Sequence, residues 1–297
     1  EDPKAFKLAL ELAKKEDADI VLATDPDADR LGVYARDAKT GEYIGFTGNM
    51  SGMLIADYIL RERTLTHTMP ENPAFVTTIV TTNLARAIAQ KYGLHYVETL
   101  TGFKYIGEQI KIFEQEHSYN YVFGLEESYG CLAGTHARDK DAPVAVMMLC
   151  EAAAFYKKKG LTLWDQMMNI YREYGFYKET QIAITMPGIE GAGKITALMD
   201  GLRKNPPAQL DRWKVMEFRD YETGIVRDIA TGKEHPTGLP ESNVLYFELD
   251  DDAWVCARPS GTEPKIKFYI GVRGKSLEDA DKQNKTLSDA LRKLIGD

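Results

Sequence analysis

The sequence predicts an α/β protein: mixed, mostly parallel βαβ sheet domains followed by a C-terminal α+β domain. Three observations carry that prediction. Short apolar runs alternate with helical stretches up to about residue 175, the order that builds a parallel sheet with helices on both faces. Beyond that point strand-like runs follow one another through short turns, with few helices between them. A chain of 297 residues, 44% apolar, also has enough material for two or three domains of about 100–200 residues each.

The elements follow in order. Asp2 can cap a helix with Pro3 at its first position, and Phe6, Leu8, Leu10 and Leu12 supply apolar bulk up to about Glu16. Ile20-Val21-Leu22-Ala23 reads as a strand buried on both faces, so helix and strand together form half of a βαβ unit. A helix is expected over 49–63, where Met50, Met53, Leu54, Tyr58 and Ile59 fall near helical spacing. Strands at 75–81, 95–100 and 121–125 alternate with helices at 84–92, ended by Gly93, and 102–116. Two helices follow at 143–159 and 163–174. The last part holds strands at 181–186, 214–219, 244–249, 254–257 and 266–272, flanked by helices at 192–203 and 277–295.

Charge and composition exclude several functions. Lys and Arg number 37 against 45 Asp and Glu, a net charge of -8. Nucleic acid and anionic membranes need a basic footprint, which this balance does not provide. A phosphate ligand must therefore meet a local cluster of donors. Cys131, Cys150 and Cys256 are irregularly spaced, with no C-x-x-C pair, and fit buried thiols in a reducing compartment. No apolar run approaches the ~20 residues of a bilayer span, and no basic, hydrophobic leader opens the chain. The expected setting is the cytoplasm. The chain opens Glu1-Asp2-Pro3 without a Met and reads as a piece of a longer polypeptide.

Three loops could carry chemistry. Asp25-Pro26-Asp27-Ala28-Asp29-Arg30 places three carboxylates at alternate positions, and they repel one another unless a cation neutralises them. Hard oxygen donors select Mg²⁺ or Ca²⁺. The loop is not an EF-hand, because Arg30 and Arg36 stand where that motif needs Gly and Glu. Arg258-Pro259-Ser260-Gly261-Thr262-Glu263-Pro264 offers a guanidinium fork, two hydroxyls and a glycine that lets backbone N–H groups approach an oxyanion. Gly124-Leu125-Glu126-Glu127-Ser128-Tyr129-Gly130 supplies acceptors and a hydroxyl suited to vicinal sugar hydroxyls.

Two softer segments add to these. Thr101-Gly102-Phe103-Lys104 opens a helix that could hold an anion, and 136–141 packs His136, Arg138 and Lys140 with two carboxylates. Gly188-Ile189-Glu190-Gly191-Ala192-Gly193-Lys194 imitates a nucleotide-binding P-loop, but Ile195 replaces the required Ser or Thr, so it reads as the glycine-rich start of a helix.

Together, in this order, the loops resemble the α-D-phosphohexomutase superfamily of phosphoglucomutases and phosphomannomutases, and the branch holding bacterial phosphoglucomutases and phosphopentomutases. The family has four domains, the first carrying a Thr-Ala-Ser-His-Asn-type loop whose serine bears the phosphoryl group. No such segment occurs in this chain. The resemblance therefore implies the end of the metal-loop domain over 1–45, a sugar-binding domain over 46–175 and a phosphate-binding domain over 176–297. It implies an isomerase interconverting glucose 1-phosphate and glucose 6-phosphate through glucose 1,6-bisphosphate, with this chain inactive alone. A phosphopentomutase, a phosphomannomutase or a non-catalytic sugar-phosphate-binding module are the alternatives.

By the same resemblance, Asp25, Asp27 and Asp29 hold Mg²⁺ and Arg30 sits beside the phosphoryl group. Thr101, Gly102, Glu126 and Ser128 bind the sugar, and Arg258, Ser260, Gly261 and Thr262 clamp the second phosphate. Relatives with Ser-Gly-His have a histidine acid/base where this chain has Ser128-Tyr129-Gly130. That leaves Lys140 or Lys104, either needing a depressed pKa that burial beside Arg138 could provide.

Overall fold

A computed structural model describes residues 2–186, 188–261 and 263–296, apart from the Ile189 side chain. Thr262 lies outside the described residues. Backbone contacts divide the chain into two units, Glu1–Tyr174 and Gly175–Asp297.

The first unit opens with a 3-10 turn over Pro3–Phe6, whose free N–H of Lys4 is capped by the Asp2 carboxylate. It runs on into α1 (Lys7–Glu16). A three-stranded sheet follows, β1 (Ile20–Thr24), β2 (Leu31–Arg36) and β3 (Tyr43–Phe46), antiparallel in the order β1-β2-β3. Two expectations are corrected here. β1 pairs antiparallel with β2 rather than opening a parallel unit, and Ile20–Ala23 are only half-buried. The reason is that β2 is its one partner among the described residues. Leu8 and Leu12 are 75% and 58% exposed, so only part of the α1 apolar bulk enters the core. Phe6 does so, against the Tyr34 ring.

The second sheet is the βαβ region that the sequence predicted. α2 (Gly48–Leu65) leads to β4 (Pro73–Thr78), α3 (Leu84–Tyr92), β5 (His95–Thr99), α4 (Phe103–Glu116), β6 (Asn120–Glu126) and β7 (Gly130–Ala133). The order is β5-β4-β6-β7, with β4 parallel to both β5 and β6 and β7 returning antiparallel. Apolar residues of α4, Ile106, Ile110 and Phe113, pack against Ala74, Val76 and Leu132 of the sheet. Two helices close the unit, α5 (Ala142–Lys157) and α6 (Leu163–Tyr174). The register is flush: Thr78 pairs with Thr99, and Thr77 with Leu125. The carboxyl ends of β4, β5 and β6 therefore finish at one edge, where parallel sheets build their sites.

The second unit is an antiparallel sheet with helices. β8 (Phe176–Thr185) and α7 (Gly188–Lys204) precede β9 (Gln209–Leu210), β10 (Trp213–Asp220), β11 (Ile225–Asp228) and β12 (Glu234–Pro236). Then come β13 (Leu245–Leu249), β14 (Trp254–Pro259), β15 (Lys265–Gly274) and α8 (Leu277–Ile295). The strand order is β12-β11-β10-β13-β14-β15-β8, with β9 on β10. Ile195 and Met199 of α7 and Leu287 and Leu291 of α8 join Val255, Phe268 and Ile270 in its core. The P-loop imitation forms the first turns of α7, as a glycine-rich helix start.

Among the described residues no helix is long and apolar enough to cross a membrane. Cys131 and Cys256 are buried as expected, but Cys150 is exposed because it lies on the outer face of α5.

Candidate functional site

The acidic loop is the six-residue connection of the β1–β2 hairpin, between the paired residues Thr24 and Leu31. Its shape comes from Asp25. One carboxylate oxygen, Oδ1, accepts the backbone N–H of Asp29 at 3.1 Å and of Arg30 at 3.0 Å. Ala28 donates its N–H to the Asp25 carbonyl at 3.1 Å and adopts φ of 56°, a left-handed value uncommon for alanine. The result is three carboxylates, Asp25, Asp27 and Asp29, with one candidate donor oxygen each, all within 4.8 Å of one another.

Two observations test whether these residues suit a hard cation. The Asp29 Oδ1 oxygen is buried without a hydrogen-bond partner among the described residues, and Arg30 Nε stands 3.6 Å from it. Buried polar atoms are rarely left so. Burial alone would raise the Asp25 carboxyl, but the N–H groups of Arg30 and Asp29, with the neighbouring carboxyl groups, hold it below its ordinary value. A carboxylate kept ionised beside two others fits a divalent cation.

Other segments brace the loop. Leu31 donates its N–H to the Tyr129 carbonyl at 3.0 Å, and Ala142 at the start of α5 donates to the Ala28 carbonyl at 3.1 Å. Lys140 reaches in from the 136–141 segment, its Nζ 2.7 Å from Asp29 Oδ2 and its side chain only 12% exposed. Burial opposes the Lys140 charge, but the hydrogen bond and charge of Asp29, with Glu126 and Asp139, hold its ammonium above the ordinary lysine value. The expected downward shift is thus corrected. Arg138, invoked as its cause, turns away to Glu114, which accepts two hydrogen bonds of 2.7 Å. His136 meets Asp141 at 2.8 Å, and Asp141 also caps α5 through the Val144 N–H. The cluster read from the sequence is therefore three separate pairs.

The 124–130 segment, expected to meet a sugar, runs out of the end of β6. Glu126, 7% exposed, accepts the Gly102 N–H at 2.7 Å. Burial pushes its carboxyl above the ordinary glutamate value, against the pull of that N–H and of Lys140. Gly102 holds φ of 120°, which side chains rarely adopt. The structure thus joins Glu126 to the Thr101–Gly102 turn that opens α4. Ser128 is half-buried in the same loop. Lys104 is exposed and rests its Nζ 4.8 Å from the Tyr105 ring, in an open groove that Glu108, Lys111 and Arg138 also line.

The Arg258 loop belongs to the other unit and joins β14 to β15. Ser260 donates its N–H to the Lys265 carbonyl at 2.7 Å, and its Oγ accepts the Glu263 N–H at 3.3 Å. Pairing sets Arg258 opposite Lys267, so two cations share that end of the hairpin. A methyl group added at Gly261 would meet nothing within 4 Å.

Sequence reasoning missed Tyr129 and Gly130 as builders of the site. Tyr129 holds φ of 69° while its carbonyl takes the Leu31 N–H. Only the Tyr-Gly pair after Ser128 hinted at a forced turn. Nothing in the sequence placed Gly48, whose absent side chain lets α2 approach the Glu127 carbonyl: a Cβ there would lie 2.3 Å from it.

Comparison with known proteins points one way. The model of phosphoglucomutase/phosphomannomutase α/β/α domain II matches residues 1–40, and that of domain III matches residues 47–174. A phosphoglucomutase of Staphylococcus aureus strain MSSA476 is 37% identical over 280 residues, 94% of this chain and 49% of that protein. One from Staphylococcus epidermidis is 37% identical over 293 residues, 98% of this chain and 51% of that protein. The chain spans about half the length of these relatives. The fold is shared with the open form of the parafusin phosphoglucomutase from Paramecium, at TM-score 0.61 and 18% identity over 92% of this chain and 46% of that one. A phosphoglucomutase/phosphomannomutase family protein from Burkholderia thailandensis gives 0.60 and 17% over 98% of this chain and 50% of that one. Domain models, relatives and architecture agree with the loops, and the chain belongs to the phosphoglucomutase/phosphomannomutase family.

Proposed function

We propose that this chain contributes the metal, sugar and phosphate loops of a phosphoglucomutase that interconverts glucose 1-phosphate and glucose 6-phosphate through glucose 1,6-bisphosphate. Residues 1–45, 46–175 and 176–297 serve as the end of the metal-loop domain, the sugar domain and the phosphate domain. The observation that supports this most is the braced acidic loop, with Lys140 on Asp29 and Tyr129 of the sugar loop on Leu31. Such bracing suits a reaction in which positioning and charge stabilisation do most of the work.

Asp25, Asp27 and Asp29 are the residues to hold Mg²⁺, which when bound withdraws charge from a phosphoryl group in transfer. Arg30 adds a second cation at the same place. Lys140 keeps its proton and serves as a fixed positive charge, or as the acid that returns a proton to a leaving hydroxyl. Glu126 accepts from sugar hydroxyls, and Ser128 both accepts and donates. Arg258, Ser260, Gly261 and Thr262 hold the phosphate that is not reacting, so that remote binding energy orients the sugar. Lys104 is set apart, stacked on Tyr105, and is the weaker acid/base candidate. A cytoplasmic setting suits the exposed thiol of Cys150.

The test is a substrate panel on the whole protein with Mg²⁺: glucose, mannose and ribose 1-phosphates compared by kcat/KM. Glucose 1-phosphate should lead. Equal or faster turnover of mannose or ribose 1-phosphate overturns the assignment, and no turnover of any of them favours a binding module.

A further inference from the structure

We propose that Lys140, admitted by Gly130, sets which divalent cation the acidic loop prefers. The inference rests on the metal-loop reading above and concerns how many oxygens each carboxylate can offer. Asp25 spends Oδ1 on two backbone N–H groups, from Asp29 and Arg30. Asp29 spends Oδ2 on the Lys140 ammonium at 2.7 Å, while its Oδ1 is buried with no hydrogen-bond partner among the described residues. Each of these two carboxylates therefore has one oxygen not spent in this way, Oδ2 on Asp25 and Oδ1 on Asp29, the latter 3.6 Å from Arg30 Nε. Two of the loop's three carboxylates thus present themselves as single-oxygen donors.

That arrangement discriminates between cations. Mg²⁺ demands near-octahedral geometry and keeps several waters, so single-oxygen carboxylates suit it. Ca²⁺ takes six to eight oxygens and gains from carboxylates that bind through both. With its second oxygen occupied by Lys140, Asp29 is denied to Ca²⁺ as a two-oxygen ligand. The lysine reaches it only because position 130 lacks a side chain. A Cβ on Gly130 would lie 2.1 Å from Lys140 Cδ and 2.6 Å from Cγ. The stem lies flat against the glycine, and the hydrogen-bonded start of α5 fixes the segment behind it.

The experiment is calorimetric titration of the whole protein with Mg²⁺ and with Ca²⁺, on wild type, Lys140→Met and Gly130→Ala, each checked by thermal melting. The reading is the ratio of the two dissociation constants. Removing a positive charge tightens both cations alike and leaves the ratio unmoved. Freeing the second oxygen of Asp29 shifts it toward Ca²⁺, by about tenfold in Lys140→Met. Gly130→Ala keeps the charge but displaces the stem, and should shift the ratio the same way by a smaller factor. Should Lys140→Met fail to fold, Gly130→Ala alone decides. A wild type that binds neither cation removes the metal loop and this inference with it. Binding in wild type with an unmoved ratio in the folded variants overturns the inference alone.

Discussion

The acidic loop and the Arg258 loop are both hairpin connections, yet they are held in opposite ways. Residues 25–31 are tied to three other parts of their unit: Leu31 to Tyr129, Ala28 to the start of α5 through Ala142, and Asp29 to Lys140. The tying is costly. Ala28 and Tyr129 both sit at left-handed φ, of 56° and 69°, where a residue other than glycine loses on the order of 1–3 kcal/mol. Among the described residues, the Arg258 loop is joined within itself through Ser260, Glu263 and Lys265, and the Met186 N–H bonds the Pro264 carbonyl. The difference matches the proposed tasks. Donors that stabilise a short-lived charge gain from being fixed before the reaction. A turn that grips and releases a phosphate gains from open space.

The largest expected effect breaks the braced loop. Asp25→Ala removes one proposed cation donor and the acceptor for the Asp29 and Arg30 N–H groups together. Mg²⁺ affinity of the chain should fall by at least about 100-fold, beyond the range seen when only supporting groups around a metal are lost. Calorimetric titration reads it, and an affinity within threefold of wild type would mean that the bracing does not serve a cation.

A middle effect sharpens the comparison through pH. Burial holds the Glu126 carboxyl above its ordinary value of 4.5. The folded chain therefore keeps a proton that the unfolded chain has already released. Stability from this group is fully present below the unfolded pKa and is lost as pH rises through the raised folded one. Glu126→Gln keeps an acceptor for the Gly102 N–H but cannot titrate. Urea midpoints from about pH 4 to 7 should fall less steeply with pH in the variant than in wild type. Parallel curves would show that the carboxyl is not held protonated by its surroundings.

What could be read from the sequence follows from where the interactions lie in it. The elements at 84–92, 163–174 and 277–295 were legible because helical spacing and caps are local, and they stand at those residues. β12 was not, since Glu234, His235 and Pro236 are all exposed and leave no burial pattern. β2 and β3 escaped because the acidic loop was read as the end of a parallel strand instead of a hairpin connection. Asp25, Asp27 and Asp29 announce themselves by alternate spacing within one loop. The pairing of Lys140 with Asp29 does not, because it depends on a glycine in a third segment that no local pattern links to either. The 136–141 run shows the converse: charges adjacent in sequence are drawn apart by Glu114, Asp141 and Asp29.

The smallest expected effect is a methyl group placed in each loop. At Gly261 a Cβ meets nothing within 4 Å, whereas at Gly130 it would drive into Lys140 at 2.1 Å. Gly261 is also absent from the glycines with positive φ, so alanine there imposes no left-handed strain. Gly261→Ala should therefore leave the melting temperature unmoved or raise it slightly, within about 0.5–1 kcal/mol, because it narrows the unfolded ensemble. Any change should appear in inorganic phosphate binding instead, because the added methyl takes up space left open beside the loop. A melting temperature lowered by several degrees would mean that the Arg258 loop is braced after all. The contrast between a fixed cation cradle and an open anion grip would then have no physical basis.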